Sequence, residues 1–199
     1  MTTTLAETPI TPPSRWRTLD IVVVAVIGVA FGAVFFAWGL LFVASGPLFA
    51  AVLPAQYLIS GVWLLPAVIC PLIVRKPGAA VFGELVAASV SALIGSVWGF
   101  DVLLSGLLQG GAAELVFLAT GYRRWSLPIA ILAGTAAAAG EALHDIPLYF
   151  SASNFPLAFQ AAIVVAMLIS GALVAGLGGW WLVAALRRAG ALESFPSRR

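Results

Sequence analysis

The sequence predicts an all-α integral membrane protein of six transmembrane helices. Three observations carry this. First, 62% of the 199 residues are hydrophobic and 9% are charged, against ~25% charge in a soluble domain. Mean hydropathy is +1.08, so lipid must be the solvent for most of the chain. Second, the apolar residues fall into six runs of spanning length, since ~20 apolar residues cross a bilayer core. Third, the ten Lys/Arg residues cluster in five places: Arg15/Arg17, Arg75/Lys76, Arg123/Arg124, Arg187/Arg188 and Arg198/Arg199. These are the N-terminus, the connections after spans two and four, and the C-terminal tail. The connections after spans one, three and five have none. The positive-inside rule then places both termini in the cytoplasm. A five- or seven-span chain would put one basic cluster outside.

In order, Met1–Ser14 is rich in Thr and Pro and has no apolar core, which fits a disordered cytoplasmic tail better than a cleaved signal. Span one is Asp20–Ala44. Its Ala25, Gly28 and Gly32 share a face, a small-residue pattern that supports close helix contact within the protein or with a partner. Span two, Ala51–Val74, is interrupted by Pro54, Pro66 and Pro71. Span three, Gly78 to about Ser96, carries Ala80, Glu84, Ala87, Ala88, Ser91 and Gly95 as a small-residue stripe with one acid. Span four runs from about Val102 to Thr120, span five from Leu127 to Phe150 and span six from Leu157 to Leu186. Residues 15–188 form one transmembrane domain, and 189–199 are a second cytoplasmic tail. No repeat is visible.

The stretch Gly106–Thr120, GLLQGGAAELVFLAT, sets Gln109 and Glu114 among residues almost without side chains. An intramembrane carboxylate is costly and marks a functional site by default. Gln109 reads equally as a ligand contact or as a hydrogen bond between helices. The two are five residues apart, about 140° on an ideal helix, so they need not meet one group. Glu84, Glu114, Glu141 and Asp145 all lie within spans, and no span holds a basic residue to pair with them. Either some are protonated or a cationic ligand neutralises them. Asp101 sits at the outer mouth of span four, and Glu141, Asp145 and Tyr149 recur at i, i+4, i+8 with His144 beside them.

Trp38, Tyr57, Trp63, Trp98 and Tyr149 fall in or near the outer half. Such rings stack over a flat cation or form the interfacial belt common to membrane proteins. Cys70 is the single cysteine and His144 the single histidine, which excludes an internal disulfide and multi-Cys or multi-His metal centres. No GxxxxGK[ST] run occurs. Nothing points to nucleic acid, and a Ser/His constellation for enzymatic work is missing.

RKPGAA at Arg75–Ala80 with Glu84, LLQGGAAELVFLAT at Leu107–Thr120, SLPIAILAG at Ser126–Gly134 and LISGALVAGLGG at Leu168–Gly179 together resemble the YkoE family. This family comprises S components of energy-coupling factor (ECF) ABC transporters. The resemblance covers most of the chain beyond Arg15. It implies a bacterial plasma-membrane protein that is not an enzyme and needs no cofactor. Such a protein captures thiamin or its hydroxymethylpyrimidine part (HMP) from outside. It implies as partners a transmembrane coupling subunit and two cytoplasmic ATPases. Ala25, Gly28 and Gly32 match the helix-one residues that contact the coupling subunit, and Glu84, Gln109 and Glu114 match the family's intramembrane acids and glutamine. His144 departs from the pattern, which leads one to expect an aromatic there. The expected substrate-binding residues are Tyr57, Trp63, Glu84, Trp98, Gln109, Glu114, His144, Asp145 and Tyr149. A self-sufficient proton-coupled transporter of an organic cation is the alternative, disfavoured by the lack of an internal repeat.

Overall fold

A computed structural model describes residues 15–195. The tail assigned to residues 1–14 lies outside them, as do residues 196–199. Six antiparallel rods make up the bundle, as the apolar runs predict. Span one is α1 (Thr18–Ser45). Span two begins as a 3-10 helix, Leu53–Leu64, and continues as α2 (Leu65–Val74). Spans three to five are α3 (Ala79–Ile94), α4 (Val102–Ala119) and α5 (Leu127–Tyr149). Span six is α6 (Leu157–Ser170), a π-helical segment Gly171–Gly178, and α7 (Gly179–Arg188). Five of the rods are at least 18 residues long; α3 is shorter. Short 3-10 turns, Gly46–Phe49 and Gly99–Asp101, lie in the first and third connections.

The sequence does not announce the two non-α segments, and each explains the other. Long 3-10 runs have poor hydrogen-bond geometry and mark strain or function. Here the Ser170 hydroxyl enters the ladder of span two: it accepts from Gly61 N–H at 2.8 Å and donates to Leu58 C=O at 2.7 Å. Directly after Ser170 the last span widens into its π segment. There Gly171 and Gly134 of α5 meet backbone to backbone, and a Cβ on either would collide with the other's carbonyl oxygen.

Gly28 and Gly32 of α1, which the resemblance implies as coupling-subunit contacts, are buried against α3. A Cβ at Gly28 would lie 2.7 Å from Val86 Cβ, and one at Gly32 would lie 2.5 Å from Val90 Cβ. Ala25 on the same side is half-buried. The small-residue pattern does bring helices close, but its partner is inside the bundle. Facing outward instead are Val26, Val29, Ala30, Ala33, Val34 and Ala37.

The described part of the C-terminal tail packs back on the bundle. Leu192 and Phe195 are buried in the core cluster. Arg17 anchors this end: its guanidinium binds the wholly buried Asp20 at 2.7 Å, lies over the Phe195 ring and donates to Ser194 C=O at 3.4 Å. Trp16 Nε1 donates to Pro77 C=O at 3.0 Å. Arg15–Asp20, the Arg75–Gly78 turn and the segment after α7 thereby close one end of the bundle, the end that gathers the basic clusters.

Candidate functional site

The opposite end, where the connections carry no Lys or Arg, opens into a cavity of about 280 Å³. Small residues bring its walls together. A Cβ at Gly106 of α4 would lie 3.0 Å from Ala88 of α3, and one at Gly110 would lie 2.9 Å from Val81 Cα. With α4 this close, Glu84 of α3 and Gln109 of α4 both reach the interior.

Two carboxylates line the depth of the cavity. Glu84 is fully buried. Its Oε2 accepts from Ala67 N–H at 3.0 Å, one of the orphan donors at the start of α2. Its Oε1 is buried and has no hydrogen-bond partner. Glu141 of α5 is 3% exposed and its Oε2 accepts from Ser60 Oγ of the 3-10 stretch at 3.1 Å. Lys and Arg do not occur among the described lining residues. Two acids are therefore held in a low-dielectric site with donors for only part of their acceptor capacity. Such a site is completed by a ligand that brings N–H donors or positive charge.

Aromatic rings form one wall. Phe42 of α1 lies edge-on to Tyr57, Trp63 and Trp98, with centroids 5.5, 5.1 and 6.2 Å away. Trp63 and Trp98 are perpendicular at 5.4 Å. The indole of Trp63 donates to Phe35 C=O at 3.3 Å, and that of Trp38 to Ile59 C=O at 3.0 Å. Trp38 is thus spent on joining α1 to span two. Gln109 donates to Ser105 Oγ at 2.8 Å and lines the cavity.

The mouth carries a hydrogen-bonded chain between the third connection and α5. Asp101 Oδ2 accepts from Tyr149 OH at 2.5 Å, and Asp101 Oδ1 lies 3.2 Å from His144 Nε2. His144 Nδ1 lies 2.8 Å from Asp145 Oδ1. The histidine that departs from the family pattern thus bridges two aspartates.

Of the expected substrate-binding residues, Tyr57, Trp63, Glu84, Trp98, Gln109, His144, Asp145 and Tyr149 line this one cavity. Glu114 does not. It sits near the basic end, where Oε1 accepts from Gly78 N–H at 2.6 Å and Tyr122 OH at 2.8 Å, and Oε2 accepts from Ala80 N–H at 2.9 Å. Glu114 therefore caps the N-terminus of α3, where backbone donors and the helix dipole favour an anion. The 140° divergence from Gln109 has this consequence. Burial and the Glu114 carboxylate push the Tyr122 phenol up, so it stays a donor. Glu114→Ala is expected to lower stability by about 3 kcal/mol, since buried donors lose a charged acceptor. Thermal unfolding in detergent would measure it, with ligand affinity of the folded fraction unchanged.

Sequence reasoning left the lining residues Asp101, Glu141, Phe35 and Phe42 out of the site, and with them Ser60, the partner of Glu141. The signal for Glu141 was present: it is an intraspan acid one turn from Asp145. Phe42 had none, because nothing distinguishes its ring from its lipid-facing neighbours.

Comparisons with known proteins agree with this architecture. Residues 19–140 match the family described as ABC-type cobalt transport system, permease component. The chain is 37% identical over 164 residues to a Bacillus subtilis (strain 168) protein named HMP/thiamine permease protein YkoE, covering 82% of this chain and 81% of that one. A solved structure described as an S-component of ECF transporter superposes with a TM-score of 0.85 at 34% identity, covering 92% of this chain and 91% of the other. These relatives are transporter components, not enzymes. On these similarities, this chain belongs to the YkoE family of ECF-transporter S components.

Proposed function

We propose that the cavity binds thiamin or its hydroxymethylpyrimidine part for import. The observation that carries this is Glu84 Oε1, a buried carboxylate oxygen without a partner in a cavity lined by a second acid. Thiamin supplies what the site lacks: an aminopyrimidine with N–H donors and a permanent thiazolium charge. The edges of Glu84, Glu141 and Gln109 suit the first, and the Phe42–Trp63–Trp98 wall suits a flat ring. A cavity of about 280 Å³ is at the small end of the ~300–1,000 Å³ of ligand pockets, which fits two small rings. The B. subtilis relative, named for HMP and thiamine, supports the same ligand class. Calorimetric titration of the purified chain with both compounds tests this reading. Saturable heat with thiamin is expected, and no heat with either compound would overturn it.

Uptake is proposed to require a coupling subunit and two ATPases. The coupling contact is proposed to lie on the small residues Ala30, Ala33 and Ala37 of α1, which are exposed where Gly28 and Gly32 are buried. The basic end is proposed to face the cytoplasm of a bacterial plasma membrane, with both termini there. Arg123→Cys should accordingly react with an impermeant thiol reagent only in inverted vesicles or lysed cells; labelling from outside intact cells would reverse the orientation.

A further inference from the structure

At the basic end, a second feature stands apart from the cavity. α7 packs along α2, with Gly179 against Val68 and Ile69. The two helices run together to the same end, where Arg187 is in the last turn of α7 and Arg75 is the C-cap of α2. The Arg187 guanidinium lies over the Trp180 ring at 5.4 Å, and that of Arg75 over Trp125 at 5.9 Å. Trp125 is itself fixed, stacked on the buried Phe117 at 5.3 Å. Burial, and after it the nearby Arg187 charge, push the Arg75 guanidinium down.

The decisive observation is on Arg187. Its Nε and Nη2 are shut off from solvent and have no hydrogen-bond partner. A buried guanidinium N–H without an acceptor is costly, more so beside a like charge. An anion with two or more oxygens relieves both costs, and the fork of an arginine matches phosphate. The surroundings say where that phosphate comes from. On the same helix Trp181 is 62% and Leu182 42% exposed, so the outer surface beside Arg187 is a hydrocarbon-facing one. Tryptophans at the end of a spanning helix mark headgroup depth, and basic pockets between helix ends take anionic headgroups.

We propose that the Arg75–Arg187 pair, flanked by Trp125 and Trp180, is a binding site for the phosphate of an anionic phospholipid. The site is distinct from the ligand cavity and does not depend on what that cavity binds. It would hold the end of the last span to α2 only in a membrane of suitable composition.

Native mass spectrometry and thermal unfolding of the delipidated full chain in detergent test this. The probes are phosphatidylglycerol, phosphatidylcholine and inorganic phosphate. Phosphatidylglycerol should stay bound at collision energies that strip phosphatidylcholine, and should raise the Tm. Arg187→Gln should weaken phosphatidylglycerol retention at least about fivefold, the scale of one arginine at an anionic headgroup, with Arg187→Lys between the two. Equal retention of both lipids by the parent chain, equal retention by R187Q, or the same Tm rise from inorganic phosphate as from lipid would overturn the proposal. Should R187Q fail to fold, the comparison of the three probes on the parent chain and on Arg75→Gln decides alone.

Discussion

Glu84→Gln is expected to weaken thiamin binding by about 1.5–3 kcal/mol, roughly ten- to a hundredfold in Kd. The amide keeps an oxygen for Ala67 N–H, so the fold's use of this side chain survives. What disappears is the negative charge, and with it the unpartnered acceptor Oε1 of a residue that lines the cavity. The new NH₂ group would meet the ligand's donors with donors of its own. HMP, which lacks the thiazolium, should lose less. Calorimetry on the parent and variant chains with both compounds reads the difference directly. Glu141→Gln is the matching test on the other acid, with Ser60 as the group that keeps its partner. Unchanged affinity for thiamin in both variants would make the acids structural and move the site toward the Asp101–His144–Asp145 chain at the mouth.

The second large effect is on the fold. Gly32→Leu should destabilise the protein by about 3 kcal/mol or more, the upper range of overpacking. Even the first added carbon meets Val90 Cβ and, at 2.9 Å, Ala87 C=O. Backbone cannot yield as a flexible side-chain tip would, so α1 must separate from α3. Phe42, on the same helix and part of the aromatic wall, would move with it. Stability and ligand binding should therefore fall together. Ala33→Leu is the control, because Ala33 faces outward. It should unfold and bind as the parent does, yet lower uptake by the assembled transporter. Thermal unfolding and calorimetry on both variants, with uptake measured in cells holding the partner subunits, separate a packing role from a coupling role. Normal folding of Gly32→Leu with lost uptake would return the glycines to the coupling face.

These two residues show how far the sequence could be read. The six spans were legible because ~20 apolar residues and the placement of every Lys and Arg are both visible in one dimension. Close packing at Gly28 and Gly32 was legible too, but small residues report that something approaches, not which helix. Only the position of α3 supplies Val86 and Val90. Glu114 failed for a related reason. Its charge inside an apolar run is visible, whereas the backbone N–H groups of Gly78 and Ala80 that use it belong to another helix and have no sequence signature. Glu84 differs from Glu114 in having an oxygen left over, a property of three-dimensional accounting alone. The 3-10 course of Leu53–Leu64 is bridged by the Ser170 hydroxyl of the last span, directly before the π segment. Neither segment's own residues specify it.

The mouth is the least expected part of the site. Asp101 reads as an acid at the outer mouth of span four, and it ties the α3–α4 connection to Tyr149 and His144 of α5.

A crystal structure of the full chain grown with thiamin tests the central claim most directly. The account predicts a ligand inside this cavity, with a nitrogen within about 3.2 Å of Glu84 Oε1 and a ring against Trp63 or Trp98. Thiamin bound elsewhere, or bound here with Glu84 Oε1 still without a partner, would contradict it.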